Sequence, residues 1–432
     1  MTVISPASFT ASAPHGIAIP IPSAIPRGIE RPTDGSSTKQ CDAVGPLQID
    51  VLSTTAEWEE IRSSWERLHG NRLNRSYPWL RSWWDAYQDE YKLHILRARY
   101  QGETIAIMPL VRTKRWLLGE TLCLLGNGKA CSDDLGILVQ PENAAAAAHA
   151  FADYLLENSA RSGKWDHLDF DGIRKGDPAM EAFYERLQSI RSIEIERRAG
   201  LSCWEASIEQ GWDPYIKSLS RRVRKMLEQT QGWQETVSTF RVAQTLEEAK
   251  EMAQVIADLH QGRWAERGIN GCFGTTSFES FLLKAMESLW DDEDSTHRPL
   301  VSLVTVHGEP AGGMIGFRYG GTLYIYLTGM NTKYLEYRPG WQTSFCSIRE
   351  AALHGCRSVD FMRGDEDYKP RLGGLPSAQE RWIIGGPRWT SRLRNWGYYQ
   401  AIEVRNRIRD YRSKRSDANA ATTPKANAAD GE

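Results

Sequence analysis

Residues 321–374 read GTLYIYLTGMNTKYLEYRPGWQTSFCSIREAALHGCRSVDFMRGDEDYKPRLGG. Thr322 to Thr328 is rich in β-branched and aromatic residues and predicts a strand. Trp341, Phe345, Ile348 and Ala352 then recur at helical spacing, and His354-Gly355 supplies a glycine end signal. Ser358 to Met362 predicts a second strand, followed by the charged turn Arg363-Gly-Asp-Glu-Asp-Tyr-Lys369. The run is one β-α-β unit. In its loop, Arg338-Pro339-Gly340 reads either as an ordinary helix-start turn or as an anion cradle, because the first amides of a helix point outward at the positive end of its dipole.

The same grammar recurs upstream. Leu93–Tyr100 and Thr104–Met108, joined at Gln101-Gly102-Glu103, predict a hairpin, as do Leu300–Val306 and Gly312–Phe317, joined at His307-Gly308-Glu309. Asp166-His-Leu-Asp-Phe-Asp-Gly172 follows a predicted helix over Ala144–Glu157, just as Val359-Asp-Phe-Met-Arg-Gly364 follows the helix over Trp341–Leu353. We read two copies of one α/β unit. Ahead of its helix the first copy has Val139-Gln-Pro-Glu-Asn143, without glycine, so only the second is expected to hold a phosphate.

Val359-Asp-Phe-Met-Arg-Gly-Asp-Glu-Asp-Tyr-Lys369 with Arg371-Leu-Gly373 resembles the signature of the acetyltransferase family associated with bacterial cellulose and exopolysaccharide biosynthesis, a branch of the GNAT acyl-CoA N-acyltransferases. Leu219-Ser-Arg-Arg-Val-Arg-Lys225 is similar to that family's serine-arginine helix. Leu259-His-Gln-Gly-Arg-Trp264, with Gly268 and Phe273, is similar to its central His/Trp segment. The resemblance runs in order from Leu47 to Arg394, and the duplication is similar to the tandem arrangement of Fem-type peptidyltransferases. It implies an α/β fold of mixed sheets, a tandem duplicated GNAT-like acyl-CoA N-acyltransferase. It also implies direct attack of an amine on a thioester, with acetyl-CoA or another acyl-CoA as cosubstrate, no bound cofactor and no covalent enzyme intermediate.

That chemistry must hold a pyrophosphate, polarise a carbonyl and remove a proton. For the donor the candidates are Arg338, Gly340, Trp341, Gln342 and Thr343. For catalysis they are Asp365 and Glu366 as bases, Tyr368 as a hydroxyl acid, Lys369 as a cation, and His260, the side chain type that titrates nearest neutrality. Arg224, Trp264, Asp360 and Arg363 are candidate substrate contacts. Each has a plainer reading: a solvated basic face for Arg221–Lys225, a buried acceptor for Asp360, a structural histidine, a surface turn at 365–367. The loop with Gly268, Asn270, Gly271 and Gly274 reads as a lid or as a connector.

The 432 residues suggest two domains with large cores, and 41% hydrophobic content fits a globular chain. Net charge is −2, from 53 basic and 55 acidic side chains, so no global field argues for nucleic acid. Seven scattered cysteines without a Cys-x-x-Cys pair read as reduced thiols of a cytoplasmic protein, and no ligand spacing predicts a metal. No apolar run predicts a membrane span, and no signal peptide is expected. Expected divisions are a disordered leader (1–45), an N-terminal half without donor site (46–205), a C-terminal acyltransferase half (206–400), a basic helix end (401–415) and a disordered tail (416–432). The aromatics Trp58, Trp65, Trp83, Trp84 and Tyr87 are expected in the core.

The resulting expectation is an acyltransferase acting on an amine or hydroxyl of a small sugar or amino-acid-like acceptor in exopolysaccharide or envelope synthesis, with polysaccharide-synthesis proteins as partners. Two rivals remain: aminoacyl transfer from tRNA, cued by the basic helix, and a catalytically silent module that regulates a polysaccharide synthase.

Overall fold

Both expected hairpins form, with central residues in the left-handed region (φ 49° and 89° at Gln101-Gly102, 50° and 81° at His307-Gly308) that a two-residue turn of matching twist requires. The computed structural model describes residues 47–128, 130–162, 165–190, 193–265, 272–291, 294, 296–398 and 400. These fall in one compact unit beginning at Pro46. The leader, residues 1–45, and the segments 401–415 and 416–432 lie outside the described residues.

The first half comprises β1 (Gln48–Leu52), α1 (Thr55–Glu60), α2 (Arg62–Leu68), α3 (Tyr77–Tyr87), β2 (Lys92–Leu93), β3 (Ile95–Tyr100), β4 (Glu103–Met108), β5 (Leu110–Arg115), β6 (Gly119–Leu124), β7 (Leu138–Val139), α4 (Ala144–Ser162), β8 (His167–Arg174), α5 (Pro178–Gln188) and β9 (Glu194–Ala199). A Thr54/Glu57 capping box starts α1, and the chain breaks at Ile61 before α2. Trp58, Trp65, Trp79 and Trp83 are all buried. Burying each removes roughly 200 Å² from water, on the order of several kcal/mol before entropy. Trp79 reaches across to the second half, its ring centroid 4.9 Å from Phe281, 5.3 Å from Phe317 and 5.1 Å from Tyr326.

The last strand of the first half in sequence is β10 (Cys203–Ser207). The second half comprises α6 (Trp212–Ser218), α7 (Arg221–Gln234), β11 (Ser238–Val242), α8 (Leu246–Ala265), α9 (Thr276–Trp290), β12 (Arg298–Val306), β13 (Glu309–Tyr319), β14 (Thr322–Met330), α10 (Pro339–Leu353), β15 (Ser358–Arg363), α11 (Tyr368–Arg371), β16 (Leu375–Ser377) and β17 (Gln379–Gly385). The segment around the serine-arginine motif forms two helices, α6 and α7, that break between Ser218 and Arg221. Leu219 is extended (ψ 157°), and Ser220 caps α7 by accepting from the Val223 amide at 3.4 Å.

The duplication is visible in the register. In the first half β6 and β8 are parallel through three pairs, Thr121↔His167, Leu122↔Leu168 and Cys123↔Asp169. In the second, β14 and β15 are parallel through Thr322↔Ser358, Leu323↔Val359 and Tyr324↔Asp360. The Asp-Phe echoes therefore occupy the same place in both copies. Among the described residues three sheets result, ordered β1-β3-β4-β7, β2-β5-β6-β8-β17-β9 and β11-β12-β13-β14-β15-β10-β16.

The order contains a reciprocal exchange. β10 ends the first half in sequence but pairs with β15 and β16 in the second-half sheet, while β17 ends the second half and pairs with β8 and β9 in the first-half sheet. A division between residues 205 and 206 would cut through β10. Each half completes its sheet with a strand from the other, which ties them into one unit.

Candidate functional site

The site region is framed by α8, the ends of β14 and β15, the start of α10 and the turn 364–369. Close approach brings α8 onto the sheet: a Cβ at Gly313 would lie 2.5 Å from Ile256 Cγ1, and one at Gly329 would lie 2.5 Å from the Ile256 carbonyl oxygen. Any side chain at these two strand positions would push the helix, and with it His260 and Arg263, away.

At the start of α10, Arg338 sits in the left-handed region (φ 50°, ψ 53°) and gives no side-chain cap. The amides of Trp341 and Gln342 turn back to the Arg338 carbonyl at 3.0 and 3.2 Å, and Pro339 has no N–H. Among the described residues the Gly340 amide has no partner, and a Cβ there would meet nothing nearer than Met330 Sδ at 3.5 Å. The helix start is open at Gly340, with the exposed Arg338 beside it. The neighbouring side chains differ from expectation. Gln342 is fully buried, accepting from Ser238 Oγ and donating to the Tyr337 carbonyl, each at 2.8 Å. Thr343 Oγ1 donates to the Pro339 carbonyl at 2.9 Å, and half-buried Trp341 packs on Phe345 at 5.5 Å. These three fasten the helix start, because buried polar groups are held by internal partners.

Beyond Tyr324 and Asp360 the strands β14 and β15 part. A bulge follows immediately: Met362 has φ 57°, and its amide donates to Asp360 Oδ1 at 2.7 Å. Asp360 is buried, opposite Glu205 of the exchanged β10. Burial, and then Glu205, push its carboxyl up to about 7, with the Met362 amide opposing. Val359 and Phe361 face the core shared with α10, while Met362 faces the other cluster.

Lys369 is buried on α11, donating to the carbonyls of Met362 (3.0 Å) and Gly364 (3.1 Å) and pairing with Glu366 at 2.9 Å. Those contacts use its three donors, so it fixes the turn rather than presenting a free cation. Asp365, Glu366 and Asp367 are exposed. Tyr368 is half-buried against Phe361, its hydroxyl pushed up by burial and by Glu366 while Arg263 of α8 opposes. Burial holds the His260 imidazole down at about 4, so it is neutral at physiological pH and a weak base. Its ring lies 5.7 Å from Phe273. The side chain of Trp264, and Gly268, Asn270 and Gly271, lie outside the described residues.

Two expected contacts are instead engaged within the protein. The Arg224 guanidinium donates to the carbonyls of Lys217 (2.9 Å) and Leu219 (2.8 Å), capping the end of α6, whereas Arg221, Arg222 and Lys225 are exposed. Arg363 donates to Asp133 (2.5 Å) and Asp171 (3.2 Å) of the first half. Sequence reasoning missed these acids, and Glu205. The available signal was the adjacent pair Asp133-Asp134 in a Gly/Ser loop, which only long-range contacts bring to β15. Among the described residues no cluster of His, Cys, Asp and Glu is arranged to hold a metal, and no helix is long and apolar enough to cross a membrane.

Three-residue parallel pairing, present in both copies and followed in the second by separation, marks a mixed α/β fold of two GNAT-like halves in tandem. Residues 217–370, within the second half, match the family described as Acetyltransferase (GNAT) domain. Among solved structures, FemX is similar at 13% identity, with a TM-score of 0.54 over 77% of this chain and 96% of that one. L-PGS from Bacillus licheniformis (11% identity, TM-score 0.45, 76% and 92%) and a tandem GNAT protein from the clavulanic acid biosynthesis pathway (12% identity, TM-score 0.44, 79% and 99%) are more distant. At these identities the likeness concerns the fold. No curated protein matches the sequence.

Proposed function

We propose that the protein is a GNAT-type acyltransferase that moves an acyl group from a CoA thioester to an amine or hydroxyl of a small sugar or amino-acid-like acceptor, with the donor held by the second half. The observation that carries this reading is the Gly340 amide at the start of α10, without a partner among the described residues and beside the end of β14, which has by then left β15. The pyrophosphate would lie at Gly340 with Arg338 adding charge. Strand edges no longer paired to each other would offer backbone groups to the donor's amide-bearing arm.

In the reaction the acceptor nitrogen or oxygen attacks the thioester carbonyl carbon, the C–S bond breaks, and the thiolate leaves. Asp365 or Glu366, exposed on the turn, takes the acceptor's proton. Tyr368, kept protonated by its raised pKa, can hydrogen-bond the departing thiolate, which takes its proton from solvent. Lys369 holds the turn that carries them. The acceptor class, in exopolysaccharide or envelope synthesis, rests on the resemblance carried by residues 359–373.

Calorimetric titration with acetyl-CoA and longer acyl-CoAs tests this, comparing wild type with Gly340→Glu. Space at Gly340 is open, so the variant adds charge rather than a clash. Saturable binding lost in the variant is expected; no binding to any acyl-CoA would overturn the reading. A second reading, an aminoacyl-tRNA donor, draws on the exposed Arg221, Arg222 and Lys225; a reaction abolished by RNase would favour it.

A further inference from the structure

The helix over residues 389–398 is docked by one face. Ser391 Oγ donates to Asp166 at 3.0 Å, Arg394 pairs with the same carboxylate, and Asn395 meets His167 at 3.2 Å and Glu194 at 3.0 Å. Its opposite face carries Trp389, Leu393 and Trp396 at i, i+4 and i+7, which are 74%, 58% and 62% exposed. Gly119 lies directly under the Arg394 guanidinium, so this helix adjoins the β5–β6 turn, whose Trp116 is 94% exposed. Soluble chains seldom leave large aromatics clustered in solvent without a use for them.

Charge says what would cover this edge. Arg388 and Arg392 are exposed beside the apolar stripe. Residues 386–415 carry nine basic and two acidic side chains in a chain whose net charge is −2. An apolar Trp/Leu face bordered by arginine is the composition of a helix that lies in a bilayer interface, where indole rings settle at headgroup level and cations meet anionic lipid. We infer that the protein docks peripherally on an anionic bilayer surface through Trp389, Leu393 and Trp396, with Trp116 beside them and Arg388 and Arg392 supplying charge. Nothing in this inference depends on the acyl donor or acceptor.

Flotation of the full chain with vesicles of phosphatidylcholine alone, and of phosphatidylcholine with 30% phosphatidylglycerol, tests it. Binding is expected to the anionic vesicles, weakly or not at all to the neutral ones, and to fall steeply between 0.1 and 0.5 M NaCl. Each basic residue near such a surface contributes about a fivefold factor, so Arg388→Glu with Arg392→Glu is expected to cut partitioning at least tenfold. Trp389→Ser with Trp396→Ser is expected to do the same, with unchanged melting temperature because both residues are exposed. Failure of the wild-type chain to float, or flotation indifferent to both double variants, would overturn the inference. Self-association lost in the Trp389→Ser/Trp396→Ser variant, without vesicle binding, would overturn it in favour of a protein interface.

Discussion

Asp169 and Asp360 occupy the same register position in the two halves, each the third residue of β8 or β15 paired in parallel, opposite Cys123 and Tyr324. Their carboxyls are driven in opposite directions. Burial would raise both, but Arg381 and Arg115 hold Asp169 at about 2, whereas Glu205 adds to burial and leaves Asp360 at about 7. The exchanged strands create the difference, since β17 brings Arg381 to Asp169 and β10 brings Glu205 to Asp360.

The contrast fixes a pH dependence. A carboxyl raised from 3.8 to about 7 binds more protons folded than unfolded between those values, so its contribution falls as pH rises through that window and is flat above it. Asp360→Asn keeps an acceptor for the Met362 amide without the buried charge. Its stability relative to wild type is expected to be near parity or below at pH 4 and to grow to at most about 4 kcal/mol by pH 8. Urea melts at pH 4, 6 and 8 measure this; a difference that does not change with pH would refute it.

Asp169→Asn is expected to act the other way. With its pKa lowered to about 2, Asp169 contributes stability fully present above pH 3.8 and lost as pH falls toward 2. Neutralising it leaves Arg115 and Arg381 without their shared anion, costing about 3–5 kcal/mol at pH 7. Urea melts at pH 7 should give a lower midpoint with unchanged slope, and a cost below 1 kcal/mol would contradict the assignment.

The Arg363 pair with Asp133 makes a separable prediction. Asp133 is 1% exposed, so Arg363→Met leaves a nearly buried carboxylate unpaired and is expected to cost about 3–5 kcal/mol. Asp133→Asn in that background should recover part of the loss. Additive losses in the double-mutant cycle would show that the two residues do not act on each other.

These effects also mark what the sequence disclosed. Alternation, Gly-centred turns and the repeated Asp-Phe pair were enough to read two β-α-β copies and the hairpins at Gln101 and His307. Period-2 patterning carries no information on which strand a strand will join, so Cys203–Ser207 and Gln379–Gly385 gave no sign that they exchange places. The same limit applied to the site. Arg363, Arg224, Gln342 and Lys369 are residue types able to bind a ligand, and their engagement with Asp133, the end of α6, Ser238 and the Met362 carbonyl is decided by contacts distant in sequence or by local backbone geometry. Gly340 was legible because a helix start with glycine is a local feature.

Lys369 separates a role in the fold from one in chemistry. Lys369→Met keeps the length and burial of the side chain but leaves the carbonyls of Met362 and Gly364 without their donor. We expect a loss of about 2–4 kcal/mol. Asp365→Ala, on the exposed part of the same turn, should change stability by less than about 0.5 kcal/mol. If transferase activity is found, a loss in Asp365→Ala with an unchanged melting midpoint would assign the turn's carboxylates to chemistry, and full activity in that variant would remove Asp365 from it; absence of thioester binding would support the silent-module reading.

The exchange of strands makes the final prediction. β17 lies between β8 and β9 and supplies ladder bonds to both; it also contributes Trp382, fully buried, whose indole donates to Glu380 at 2.8 Å beneath the Arg197 guanidinium. A chain ending at Ala378 would keep every strand of the second-half sheet yet lose an internal strand of the first. If each half were self-contained, that truncation would leave the first half folded. Because the sheet order is β8-β17-β9, the truncated chain is instead expected to lose cooperative unfolding of the first half and to expose its edge to aggregation. Trp382→Ala in the full chain should cost about 3–5 kcal/mol by the cavity it leaves. Hydrogen exchange can localise the damage. Protection lost first in β8 and β9, with β12 to β14 retained, is the expected pattern; uniform loss, or intact protection in β8 after truncation, would contradict the exchange.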